Sequence, residues 1–233
     1  MTVGCVHTVG EAITSTGLSL RSCEAPNQYA PVVRDPYADI AEPNVEGPCI
    51  SQTEKNTTTF QPNFNHSSGV RALRICGGID IKKRVTFQSG LYIIDGGELS
   101  LNGNGTVAVS DAGITADGVT FYLTNGARLK FTGNGSLNLN APTTGPYAGL
   151  LFFASRSQTG VAHEVLGNSG SITQGAIYAP TSAIRFTGNS TTNGCTQVIG
   201  YTVEFTGNST LTSNCDTGNV REIETNVSVR LIE

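Results

Sequence analysis

Apolar and polar positions between Leu99 and Leu211 follow one short rule: apolar, any residue, apolar, Thr or Asn, Gly, Asn. The strict copies are residues 99–104 (LSLNGN), 129–134 (LKFTGN), 184–189 (IRFTGN) and 203–208 (VEFTGN), with a degenerate copy at Val165-Leu-Gly-Asn168. Their glycines, 103, 133, 167, 188 and 207, are 30, 34, 21 and 19 residues apart. An apolar-x-apolar run predicts a short strand with one face buried. The Gly-Asn after it predicts a turn, because both residues tolerate positive φ. Recurring units of this length point to a stacked architecture.

A second strand series interleaves with the first and always follows a glycine: Gly90-Leu-Tyr-Ile93, Gly118-Val-Thr-Phe121, Gly149-Leu-Leu-Phe152 and Gly175-Ala-Ile-Tyr178. A third is expected near Val107-Ala-Val109 and Leu137-Asn-Leu139. Upstream, Leu73-Arg-Ile75, Ile79-Asp-Ile81 and Val85-Thr-Phe87 also alternate. Three short strands per coil predict an all-β fold, a right-handed parallel β-helix (β-solenoid), the hand following the rule for parallel crossovers. The inward positions are then Leu99 and Leu101, Leu129 and Phe131, Ile184 and Phe186, and Val203 and Phe205. Phe131, Phe186 and Phe205 should form one core stack. Asn104, Asn134, Asn189 and Asn208 should form an amide ladder along the turns. The outward positions carry Ser100, Lys130, Arg185 and Glu204, and an exposed Arg185–Glu204 pair is expected.

The remaining segments lack this pattern. Residues 24–48 hold five prolines, 26, 31, 36, 43 and 48, so they form neither a central strand nor a long helix and predict an extended strap. Within it Asp35 is placed to cap a helical turn opened by Pro36. Residues 51–69 are polar and read as a loop excursion, and residues 154–173 as an insertion. The expected organisation is one domain over 1–233. Residues 1–72 form an irregular coil, strap and loop, residues 73–233 the regular coils, and Val220 to Ile232 a last strand or cap.

Composition narrows the function. Charged residues are 14% of the chain and the net charge is −4, which excludes an electrostatic case for nucleic acid. No apolar run of about 18 residues exists, so no membrane span is expected. Six cysteines without a Cys-x-x-Cys pair argue for disulfides over metal and for an oxidising compartment. The opposing reading, a cytosolic chain, would leave six free thiols. Cys195 and Cys215 lie seven and eight residues after Gly188 and Gly207, at equivalent places on neighbouring rungs about 4.8 Å apart. This predicts Cys195–Cys215. Proximity in sequence suggests Cys5–Cys23 and Cys49–Cys76. Met-Thr-Val-Gly-Cys5 is neither basic nor apolar enough for a signal peptide, so the chain reads as an ectodomain with its anchor upstream.

Several blocks in fixed order resemble the C-terminal region of TadG-like proteins of the tight-adherence (Flp) pilus system. They are Val33-Arg-Asp-Pro-Tyr-Ala-Asp-Ile40 with Pro43, Cys76-Gly-Gly-Ile79, residues 90–101, residues 118–126, residues 141–149, Gly175-Ala-Ile-Tyr-Ala-Pro180 and Phe186-Thr-Gly-Asn189. The resemblance spans roughly residues 30–233. It implies a periplasmic or cell-surface role in pilus assembly or attachment, with pilus-apparatus or envelope proteins and surface glycans as partners. It brings no catalytic residues.

β-Helices often act on polysaccharides, which requires clustered carboxylates on an exposed face. The candidates are Asp80, Asp95, Asp111 and Asp117. Asp95, in Ile93-Ile-Asp-Gly-Gly97, reads first as a turn residue, and Asp111 and Asp117 as solvated. His7, His66 and His163 lie far apart, and His163-Glu164 reads as surface polar. No spacing suggests zinc, no glycine-rich phosphate loop is present, and the turns lack the Asp of calcium-binding repeats. No catalytic residue, metal or cofactor is therefore expected. The expected function is a non-enzymatic structural or adhesive extracytoplasmic domain. The alternative is a polysaccharide-binding or polysaccharide-degrading β-helix with an acidic cleft and an aromatic platform from Tyr92, Tyr122, Tyr147 or Tyr178.

Overall fold

The computed structural model describes residues 2–3, 5–12, 19–102, 112–132, 135–165, 171–187, 191–206, 210–211, 215 and 220–221. The chain divides into two compact units: Met1–Asp39 with Arg221–Glu233, and Ile40–Val220.

In the first unit, β1 (Thr2–Val3) pairs in parallel with β2 (Ser19–Leu20), and Cys5 is bonded to Cys23. Asp35 Oδ1 accepts the Tyr37 N–H at 2.9 Å, so the expected cap forms, but over a turn rather than a helix. Tyr37 is buried. The Arg221 guanidinium lies 5.4 Å from its ring centroid and pairs with Asp39.

The second unit is a single curled sheet, parallel except for one pair. Its strands are β3 (Thr59–Phe60), β4 (Phe64–Asn65), β5 (Arg71–Cys76), β6 (Ile79–Ile81), β7 (Arg84–Phe87), β8 (Gly90–Asp95), β9 (Glu98–Asn102), β10 (Gly113–Ala116) and β11 (Val119–Thr124). They continue as β12 (Arg128–Thr132), β13 (Ser136–Asn140), β14 (Leu150–Ala154), β15 (Ala162–Val165), β16 (Ser171–Phe186), β17 (Thr191–Asn193), β18 (Thr196–Phe205) and β19 (Thr210–Leu211). From β5 to β13 each strand pairs with the one three places on. Three columns result: β5-β8-β11-β14, β6-β9-β12-β15 and β7-β10-β13. The long β16 runs through all three, and β18 closes the first two.

The repeat forms the second column. Ile81, Leu101, Phe131, Val165, Phe186 and Phe205 are successive register partners. Phe186 and Phe205 stack at 4.9 Å, whereas Phe131 is separated from Phe186 by the tier that holds Val165 and packs against Phe152. The strand that ends at Val165 is thus a full tier of this column. Val203 pairs with Ile184 but is 41% exposed rather than buried as expected. In the third column, β10 at Gly113–Ala116 pairs with Leu137 and its neighbours. The strand expected at 107–109 lies outside the described residues. So do Asn104, Asn134, Asn189, Asn208 and Asp111, and most of the expected cap.

The first column is buried on both faces: every residue of β11 and β14 is buried. Near-continuous apolar runs such as Val119–Leu123 and Leu150–Ala154 mark strands of this kind. Their outer face carries Tyr122, Phe153 and Tyr178, and the part of the strap in this unit crosses it. The Tyr122 hydroxyl donates to Glu42 at 2.8 Å, and Arg74 donates to the Gly47 carbonyl at 3.1 Å. Cys49 bridges to Arg74 and is bonded to Cys76, and Cys195 is bonded to Cys215 with Cα atoms 4.7 Å apart.

Candidate functional site

A groove of about 930 Å³ opens beside β6. One wall is the turn Gly77-Gly78, which stacks on the turn Gly96-Gly97. All four glycines have φ between +70° and +75°. A Cβ on Gly78 would sit 2.3 Å from the Glu98 nitrogen, so only glycine lets these turns stack. The opposite wall is the one-turn 3-10 helix Glu54–Asn56. Ser51 and Glu54 bond reciprocally, at 2.6 Å and 3.2 Å, in the manner of a capping box. This turn delivers Lys55, whose ammonium donates to the Cys76 carbonyl at 2.5 Å. Lys82 and Lys83 come from the β6–β7 connection and Lys130 from β12, two strands across the column.

The groove carboxylates are already engaged. Asp80 lies 2.9 Å from Lys82 and accepts from the Ser100 hydroxyl at 2.8 Å. Burial acts to raise its pKa, but the bonds from Lys82 and Ser100 outweigh it and hold the carboxyl below the usual range. Glu98 is bound by Arg128 and lies 3.5 Å from Lys130. The Arg128 bond is the main reason it too is held low. Lys83, by contrast, donates to the Asn56 carbonyl at 2.6 Å, and a carbonyl does not cancel its charge. The arrangement suits binding of anions.

The other sequence candidates have structural partners. Asp95 accepts from Arg74 Nε at 2.9 Å and from Asn125 Nδ2 at 2.6 Å, tying three tiers together. These bonds outweigh burial and lower its pKa. Asp117 accepts from Asn140 Nδ2 at 3.3 Å. His7 is exposed in the first unit. His66 is buried, with Nδ1 2.7 Å from the Ser68 hydroxyl and Nε2 2.9 Å from the Asn44 carbonyl. His163 is not on the surface. It is 1% exposed, takes the inward position partnered by Ile184, and its Nδ1 accepts the Leu129 N–H at 3.2 Å. Its Nε2 is buried without a hydrogen-bond partner, and burial pushes its pKa down to about 4. Tyr92, Tyr122, Tyr147 and Tyr178 are all buried, so none forms an aromatic platform. Among the described residues no group of three or more His, Cys, Asp or Glu is arranged to hold a metal ion.

A further cluster, not foreseen from the sequence, clamps the strap to the insertion. Glu42 accepts from the Tyr122 and Ser155 hydroxyls at 2.8 and 2.7 Å and from the Arg156 N–H at 2.8 Å. Arg156 lies 5.2 Å from both the Phe153 and Tyr178 ring centroids and donates to the Ile40 carbonyl at 2.9 Å. Burial, reinforced by the Glu42 carboxylate, pushes the Tyr122 phenol up to about 12.

A family model described as "Domain of unknown function (DUF7305)" matches residues 51–216. No curated protein and no solved structure matches the chain.

Proposed function

The chain belongs to the DUF7305 family of unknown function, and we propose from its physical chemistry that residues 40–220 form a right-handed parallel β-helix with a non-enzymatic structural or adhesive role. The setting proposed is extracytoplasmic, in a tight-adherence pilus apparatus, with anchoring through a segment outside this chain. The observation that carries this reading is the engagement of Asp80, Asp95 and Asp117 in bonds between tiers of the sheet. Side chains held in this way brace a stack of strands and are not left to move protons.

Three disulfides support an oxidising compartment. Among the described residues no helix is long and apolar enough to cross a membrane. The right hand follows from the strong preference of parallel crossovers. A polysaccharide-degrading reading would need an exposed aromatic platform, and the four tyrosines that would build it are buried.

Deleting residues 40–220 from the native gene, then counting surface pili and attached cells, tests the role. Loss of pili or attachment, with no hydrolysis of acidic polysaccharides by the purified chain, is expected. Unchanged attachment, or turnover abolished by Asp95→Ala, would overturn it.

A further inference from the structure

All four lysines of the chain, Lys55, Lys82, Lys83 and Lys130, line the one groove beside β6. The arginines are used differently: Arg74, Arg128 and Arg185 are bound to Asp95, Glu98 and Glu204, and Arg156 belongs to the Glu42 clamp. In the groove, four ammonium groups face two carboxylates, Asp80 and Glu98, and both carboxylates already hold cations. Lys55 and Lys83 donate to carbonyls, so their charge is not neutralised and each ammonium keeps donors for a ligand. A positive groove on a chain of net charge −4 is a local attractor for anions.

We infer that this groove binds an acidic polysaccharide, its lysines meeting the carboxylates or sulfates of successive sugars. The lysines come from three segments, and β6 and β12 are two strand spacings apart, about 10 Å. A small anion cannot span that width, whereas an extended glycan can. Between the lysines the lining is small or hydroxylated, with Gly77, Gly78, Ser100, Asn102 and Thr132. Hydroxyls and amides both donate to and accept from sugar hydroxyls. Nucleic acid fits less well. The one aromatic of the lining, Phe60, is 2% exposed and offers no face for base stacking, and among the described residues no arginine fork lines the groove.

The inference deepens the adhesive reading and rests on it for its setting. The test is calorimetric titration of the purified chain, at low and at physiological salt, with polygalacturonate, dextran sulfate, neutral dextran and a single-stranded oligonucleotide. The expected result is salt-sensitive binding of an anionic polysaccharide and none of neutral dextran. Lys83→Glu with Lys130→Glu should weaken that binding by roughly tenfold or more, while Arg185→Gln, outside the groove, leaves it unchanged. Should the charge reversals fail to fold, Lys55→Gln with Lys83→Gln makes the same test with smaller change. Equal affinity of the lysine variants, equal binding of neutral dextran, or tighter binding of the oligonucleotide would overturn the inference. Loss of glycan binding with attachment still dependent on residues 40–220 would remove the groove's role and leave the adhesive reading standing.

Discussion

His163 and Ile184 are register partners on neighbouring strands, one imidazole and one aliphatic side chain in the same inward-facing position. Both are buried, and the imidazole Nε2 has no hydrogen-bond partner. A polar ring thus stands where the next tier has an aliphatic side chain. It is tolerated because its Nδ1 accepts the Leu129 N–H and the ring stays neutral.

That neutrality sets a pH dependence. The folded-state pKa is about 4 against an unfolded value of 6.5, so the unfolded chain binds the proton more readily between these values. The contribution is fully present above about pH 6.5, declines as pH falls towards 4 and is gone below. Its full size is about 3 kcal/mol. His163→Leu is expected to flatten the urea-unfolding free energy between pH 6.5 and 4.5. An unchanged slope would mean that the ring is not protonated on unfolding.

The Glu42 clamp should stabilise the strap. Glu42→Ala leaves the Tyr122 and Ser155 hydroxyls and the Arg156 N–H without their acceptor. A loss of about 2–3 kcal/mol is expected in chemical denaturation. Tyr122→Phe removes one donor only and should cost about 1 kcal/mol. Proteolysis of the strap, followed by mass spectrometry, should quicken in the first variant far more than in the second.

Asp95 bonds to Arg74 on one neighbouring tier and Asn125 on the other. Asp95→Ala is expected to lower stability by about 2 kcal/mol, because it leaves a half-buried guanidinium unpaired. The folded pKa is lowered, so this contribution is present above the unfolded carboxyl range and is lost as pH falls through the folded value. The difference in stability between wild type and variant should therefore shrink in strong acid.

Removing the Cys195–Cys215 bond, which closes a separation of 20 residues, by replacing both cysteines with serine should cost about 3 kcal/mol. Hydrogen exchange should rise first in β18. The Arg185–Glu204 pair, 2.9 Å apart but exposed on both sides, should yield at most about 1 kcal/mol in a double-mutant cycle.

Local chemistry made much of the fold legible. The alternation of apolar residues and the Gly-Asn turns located strands β5 to β9 and β11 to β14, because strand period and turn conformation are decided within a few residues. The repeat register pointed to Cys195–Cys215, since equivalent positions on adjacent tiers are one strand spacing apart, and proximity in sequence suggested Cys5–Cys23 and Cys49–Cys76; the structure contains all three pairs. The inward place of His163 is hidden in the sequence because His163-Glu-Val165 has the polar residue where the other copies have Leu, Ile or Val. Only pairing with Ile184 reveals that the position points inward.

The sequence alone thus determined an all-β chain of short strands, a core made from alternate positions, and an oxidising setting, all written in neighbour-to-neighbour patterns. Tertiary structure decided which polar residues meet. Glu42 reaches Ser155 across 113 positions, and Lys130 joins Lys82 and Lys83 only because β6, β9 and β12 lie side by side. The physical reason is register. The order of tiers places distant charges within a few ångströms of each other, and no local propensity encodes that order.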